Sequence, residues 1–354
     1  MKIFLAWFAL SLTCGAGGIA QDRLPTELRT LFDYDAKLLL DEQSREIATV
    51  NPSTPRHECR GLLRVNPEPR FSSPPLKAGL SVGERVNGVR LFEISYASPK
   101  GGRVPAYLVV PAGKGFFPAI LYGPWGYGTR TEFLSEALLY AEAGVVSLLV
   151  DYPWVRPLPW RKNVGDFRRP ESDCEAYIQA VIDLRRGIDL LASRPDIDAS
   201  RLAYVGHSSG AQWGAILSTV DRRVKTAILI GGAPSAGDIY LNSQVPEMVE
   251  LRKRLPGGAL NTYLEITGTL DAVRFVPYSS PTPPLFQFAR AERYFDDKSM
   301  QRYFQAAGEP KAVRWYWTGH ELNDVQALID RSAWLKDNAG FPSLGPILRQ
   351  KFVQ

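Results

Sequence analysis

The chain is poor in the residues that usually bind metals and has little cysteine. It holds three histidines and three cysteines in 354 residues. No Cys/His group has zinc spacing, so the sequence argues against a metal site. No apolar run is long enough to span a bilayer with tilt. The formal charge of +5 is spread along the chain. No Lys/Arg-rich run of the nucleic-acid-binding type occurs, so nucleic acid is not an expected partner. Internal repeats and low-complexity tracts are absent. What remains is an ordinary globular composition, 45% hydrophobic and 22% charged. The length suits one large α/β domain with a smaller appendage.

The first twenty residues read as a secretory signal peptide. Met1-Lys2 gives a positive start, Ile3 to Leu12 a short apolar run, and Gly18-Ile19-Ala20 a small-x-small cleavage site. Cleavage after Ala20 leaves Gln21 as the mature terminus and a secreted or periplasmic protein. An uncleaved membrane anchor, or lipidation at Cys14, are the competing readings. Once this segment is removed, Cys59 and Cys174 remain. In an oxidising compartment they can form a disulfide, or they are two separate buried thiols.

Residues 21–85 mix short helical patterns, such as Arg29 to Leu40, with Pro-rich breakers. They read as a lead-in packing on the main domain, which occupies residues 86–354. From Val89 the pattern becomes regular. Leu91 to Tyr96 and Val104 to Val110, joined by Lys100-Gly101-Gly102, predict a hairpin. Short apolar strands then alternate with helices. Strands are expected at 119–122, 145–150, 202–205, 227–230, 263–266 and 313–317. Helices are expected near 132–143, 175–193 and 322–335. This alternation predicts an α/β fold, a mostly parallel sheet covered by helices on both faces. Three long connections (152–172, 233–261 and 272–301) follow strand ends, the edge where open α/β sheets carry their sites. They are the expected pocket walls. The arginines of the first, including Arg156, Arg161, Arg168 and Arg169, taken one by one, read as a solvated loop surface.

The chemistry concentrates at Gly206-His207-Ser208-Ser209-Gly210, between a strand-like run and a helix-like one. Strand, sharp turn and helix form the context in which Gly-x-Ser-x-Gly exposes a nucleophilic serine. The bland alternative is a serine capping a helix. Ala233-Pro234-Ser235-Ala236-Gly237 is a decoy, because Pro234 and the absent first glycine make it a loop. A serine nucleophile needs a base, and the base needs an orienting acid. His320 follows the predicted strand 313–317 and is the expected base. His57 lies in the irregular lead-in, and His207 adjoins the serine too closely to serve it. Asp271, just past the predicted strand 263–266, is the expected acid, with Asp296 or Asp297 as alternatives. An oxyanion needs donors as well. The Ser209 amide is one. For the second, Pro124 has no N–H, which leaves the Trp125 amide, a nearby amide, or the Tyr122 hydroxyl.

These residues resemble those of the α/β-hydrolase superfamily, especially secreted esterase-like members of the dienelactone hydrolase and acetyl xylan esterase group. The resemblance runs over roughly Val89 to Leu335. It is carried by the hairpin strand Val104 to Pro111, the elbow Gly206 to Gly210 after Asp196-Ile197-Asp198, Gly268 to Asp271, and Gly319-His320. It implies a nucleophile at Ser208, an acid at Asp271 and a base at His320, acting on a small-molecule carboxylic ester through an acyl-enzyme without a cofactor. The usual His-Gly of the oxyanion loop is Tyr122-Gly123 here. That looks like prolyl oligopeptidase-type peptidases, in which a tyrosine of this loop binds the oxyanion, although the chain has no length for their β-propeller. A serine peptidase acting on short peptides, and a non-catalytic hydrolase-fold binding protein, are therefore the alternatives. Trp125, Tyr127, Trp154 and Trp160 are candidate pocket aromatics.

Overall fold

A computed structural model describes residues 24–50 and 88–352. The expected signal peptide, Cys14, His57 and Cys59 lie outside the described residues. In chain order the elements are α1 (Thr26–Thr30), β1 (Gln43–Val50), β2 (Val89–Ala97), β3 (Arg103–Val110), β4 (Phe117–Gly123), α2 (Leu134–Glu142), β5 (Val146–Val150), α3 (Pro170–Ser193), β6 (Ile197–His207) and α4 (Ser209–Val220). There follow β7 (Val224–Ile230), α5 (Ala236–Tyr240), α6 (Pro246–Arg254), α7 (Ala259–Thr267), three 3-10 turns, β8 (Pro284–Ala291), α8 (Asp297–Ala306), β9 (Ala312–Gly319), α9 (Val325–Ala339) and α10 (Gly345–Phe352).

The nine strands form one sheet in the order β1-β2-β3-β5-β4-β6-β7-β8-β9. The first three pairings from the β1 edge are antiparallel, and every pairing from β5 to β9 is parallel. The α/β expectation therefore stands. The lead-in does more than pack on the domain, because β1 pairs with β2 and extends the sheet by one strand. The expected helix from Arg29 to Leu40 is only the short α1, ending at Thr30.

Strand alternation sends successive side chains to opposite faces, and the core divides accordingly. In β4, Ala119 and Leu121 face the α3/α4 layer with Val181, Leu184, Ile188 and Ile216. Ile120 and Tyr122 face the α2/α9 layer with Ala137, Tyr140, Ala327 and Leu335. Helix boundaries follow local chemistry. Pro170 opens α3, with Glu171 and Asp173 in the first turn, a position suited to a missing N–H and to negative charge. Asp324 caps α9 by accepting from the Gln326 and Ala327 amides, and Gly340 ends that helix with φ +65°.

Two expectations fail in the C-terminal third, and the failures are linked. Residues 263–266 belong to helix α7. Leu260, Tyr263 and Thr267 are its buried side chains, spaced as one helical face rather than as a strand. The strand missing from that reading is β8, inside the segment expected to be a long loop. Its first six residues are buried, as suits a strand covered on both faces. β5 lies on one side of β4 and β6 on the other, so the chain reverses direction across the sheet there. The site is found at the C-terminal ends of β4 and β6, where α/β sheets carry ligands. No helix of the described residues is long and apolar enough to cross a membrane.

Candidate active site

Ser208 occupies the turn between β6 and α4 with φ +56° and ψ −114°. This is a strained conformation for a residue with a side chain. The flanking glycines explain how the turn is tolerated. A Cβ on Gly206 would overlap the Gly210 carbonyl, and one on Gly210 would overlap the Gly123 carbonyl of β4. The Ser208 amide donates to the Ile230 carbonyl at 2.7 Å. The Tyr204 hydroxyl donates to the Gly210 carbonyl at 2.7 Å. The serine is thus held at the sheet edge from both sides.

His320, just past β9, places Nε2 3.0 Å from Ser208 Oγ. Its Nδ1 lies 2.6 Å from Glu292 Oε2. Glu292 follows β8 directly, and its Oε1 accepts from the Arg293 and Tyr294 amides, each at 2.9 Å. The Glu292 side chain is 2% exposed. A buried carboxylate on Nδ1 fixes that nitrogen as the donor and leaves Nε2 to accept the serine proton. The edge of the Tyr294 ring packs on the imidazole, with centroids 4.7 Å apart.

Asp271 does not occupy the acid position. It sits after a 3-10 turn that continues α7, so no strand carries it to His320. Its Oδ1 accepts the Ala236 amide at 2.8 Å. Burial, above all other causes, pushes its carboxyl up to about 6. Asp296 is the N-cap of α8 and accepts from the Ser299 amide at 2.8 Å. Asp297 is that helix's first residue. The residue missed from sequence is Glu292. Its signal was the mostly apolar run Leu285-Phe286-Gln287-Phe288-Ala289 with a carboxylate three residues beyond it, obscured by the prolines that precede it.

His207 also has a defined place. Its Nδ1 lies 2.6 Å from Glu132 Oε1, and its Nε2 lies 3.0 Å from the His320 carbonyl. Both partners are hydrogen-bond acceptors. The other oxygen of Glu132 accepts the Trp125 amide at 2.7 Å. One carboxylate therefore links the loop after β4, the elbow, and through His207 the backbone of His320.

Two of the oxyanion expectations change. The Trp125 N–H is already committed to Glu132. Tyr122 points to the sheet face opposite α4, fully buried, with its ring 5.0 Å from that of Phe133. Burial holds its hydroxyl well above the usual tyrosine range. It is a core side chain directed away from the elbow. Ser209, the first residue of α4, has a first-turn amide without an intrahelical acceptor. Gly126 is packed so closely that a Cβ there would lie 3.1 Å from Ser209 Oγ. Its carbonyl accepts a short hydrogen bond from the Trp154 indole.

Beside Ser209 and Gly126 opens a cleft of about 760 Å³, counting its mouth. Its walls come from the connections after β5 and β7, through Trp154, Val164, Ala236, Ile239 and Tyr240, with Tyr177, Trp213 and Tyr263 from the helices. Asp271 lies on the wall of this cleft. Tyr127 also lines it, and both Tyr127 and its edge-on neighbour Trp125 are exposed. Among the described residues no group of three or more His, Cys, Asp or Glu side chains could hold a metal ion.

This arrangement is the α/β-hydrolase fold with a Ser-His-carboxylate chain at its C-terminal sheet edge. Solved structures bear out the fold. An acetyl xylan esterase from a Paenibacillus species superposes with a TM-score of 0.66 at 19% identity, covering 90% of this chain and 98% of its own. Acetyl xylan esterase 1 of a Thermoanaerobacterium species gives 0.63 at 14% identity, covering 87% and 93%. A cold-adapted esterase from an Arctic intertidal metagenomic library gives 0.50 at 16% identity, covering 71% and 94%. No family model matches the sequence, and no curated sequence is similar to it.

Proposed function

We propose that the chain is a serine hydrolase of small carboxylic esters, acting through an acyl-enzyme. The observation that carries this reading is the continuous hydrogen-bonded chain from Ser208 Oγ through His320 to Glu292. In the first step His320 Nε2 takes the Ser208 proton while Oγ attacks the ester carbonyl. The oxyanion is received by the Ser209 amide and, in our assignment, the Gly126 amide. His320 then gives its proton to the departing alcohol. It next takes a proton from water, whose oxygen attacks the acyl carbon, and returns that proton to Ser208 Oγ as the acyl–Oγ bond breaks and the acid leaves. Glu292 orients the imidazole through Nδ1 and stabilises the imidazolium. The names of the structural neighbours favour esters as substrates.

Two measurements test the reading. A fluorophosphonate probe is expected to label Ser208 in the wild-type protein and to leave Ser208→Ala unlabelled. Ser208→Ala is expected to lose turnover of a short-chain aryl ester by a factor on the order of 10³ or more with an unchanged circular dichroism spectrum. Residual turnover near wild type would overturn the assignment. The peptidase alternative rested on a tyrosine in the oxyanion loop, and the buried Tyr122 removes that ground. Export completes the proposal. Mature protein beginning at Gln21 supports it, and a retained Lys2 peptide counts against it.

A further inference from the structure

The cleft beside the elbow is walled by aromatic rings in two connected groups. Trp154, Tyr177 and Trp213 form one, with the Tyr177 and Trp213 rings stacked at 5.1 Å and Trp154 edge-on to Tyr177 at 5.5 Å. Tyr240 and Tyr263 form the other, 6.0 Å apart and edge-on. The Tyr177 and Tyr263 hydroxyls join the groups at 3.1 Å. The only ionisable carboxylate on this wall is Asp271. No cation pairs with it among the described residues. Among the described residues its carboxylate accepts one hydrogen bond, from the Ala236 amide. Of the charged groups in its field, Arg302 is bound to Asp238 at 2.6 Å, and Arg274 is exposed. A carboxylate on the same cleft wall as these aromatic side chains is an electrostatic arrangement for a cation. Ring quadrupoles and the carboxylate both attract it, and each is worth more where water is displaced.

We propose that this cleft takes the quaternary or alkylated ammonium group of a cationic ester, held between the aromatic walls and Asp271. The inference rests on the esterase reading for the reacting bond but not for the binding site itself. The competing role for Asp271 is structural, capping the Ala236 amide. Asp271→Asn separates the two, because the amide oxygen of asparagine still accepts that N–H while the charge is lost.

Binding and turnover are measured separately. By calorimetry on the full-length Ser208→Ala protein, choline is expected to bind about tenfold more tightly than its uncharged carbon isostere. In Ser208→Ala/Asp271→Asn that preference should fall toward unity. For turnover, two substrate pairs are compared, one with trimethylammonium on the alcohol side and one with it on the acyl side, each against its carbon isostere. A KM about tenfold lower for the cationic member of either pair, collapsing in Asp271→Asn, supports the proposal. Equal binding of choline and its isostere overturns it, whatever the turnover data. So does a preference that survives Asp271→Asn. Loss of all ester turnover with choline binding retained overturns the esterase reading and leaves the cation site standing.

Discussion

At the scale of single residues, the distinction between Glu292 and Asp271 is the sharpest consequence of the structure. Both are carboxylates in the C-terminal third, but only Glu292 reaches His320 Nδ1. Glu292→Gln keeps the shape and removes the charge that stabilises the imidazolium. It is expected to lower kcat by a factor on the order of 10³ to 10⁴, as carboxylate-to-amide changes do in such triads. A larger loss at Asp271 than at Glu292 would return the acid role to Asp271. Asp271 also has a stability signature. Its folded-state pKa is raised to about 6 from 3.8, chiefly by burial. The ionised carboxylate therefore costs stability at neutral pH. The cost is fully present above about 6 and vanishes as pH falls through about 6 toward 3.8, where the folded state binds the proton first. Asp271→Asn is expected to be more stable than wild type by about 1 kcal/mol at pH 8, after allowance for partial solvent access, and equal to it below pH ~3.5. Urea denaturation at the two pH values checks this. A carboxylate whose charge costs stability when no cation faces it fits the proposed cation site.

At the scale of elements, three loops must keep register for the site to exist. They follow β4, β6 and β9, and Glu132 and His207 tie them together. Glu132 accepts from the Trp125 amide and from His207, while His207 holds the His320 carbonyl. A glutamine offers one acceptor oxygen where the carboxylate offers two. Glu132→Gln is expected to lower kcat about tenfold with a smaller change in KM, and Glu132→Ala to lower it further. Equal kcat in all three proteins would reduce the network to packing. The elbow glycines act at this scale too. Gly210→Ala drives a Cβ into the Gly123 carbonyl, so β4 and α4 must separate. Such a variant should lose both stability and probe labelling. The elbow was legible in the sequence because its demands are local: small residues at fixed offsets between a strand and a helix. The acid was not. Its position depends on whether 263–266 is strand or helix, and Tyr263-Leu264-Glu265-Ile266 satisfies either short pattern. Helix α7 won because Leu260, Tyr263 and Thr267 share one buried face.

At the scale of the whole molecule, the two covered faces of the sheet hold the site's elements in place. On the α2/α9 face a buried ion pair crosses the layer. Arg331 of α9 meets Glu136 of α2 through Nε at 3.0 Å and a terminal nitrogen at 2.5 Å. Its other terminal nitrogen reaches Gln287 of β8 at 3.3 Å. Removing the arginine alone strands a buried carboxylate. Arg331→Met is expected to cost about 3–5 kcal/mol, and Arg331→Met/Glu136→Leu to recover much of it, read from denaturant midpoints. β8, which this pair steadies, is the strand that delivers Glu292.

The sequence by itself determined what is local. The hairpin, the α/β alternation, the glycine-flanked serine and the histidine after the last strand all follow from spacing and side-chain size within a few residues. Only the tertiary structure decided which carboxylate meets the imidazole, which face receives Tyr122, and that Asp271 lines the same cleft as the aromatic side chains. These outcomes depend on the order of strands across the sheet and on the layer each side chain enters. Such relations join residues tens of positions apart and are set by packing of the whole core.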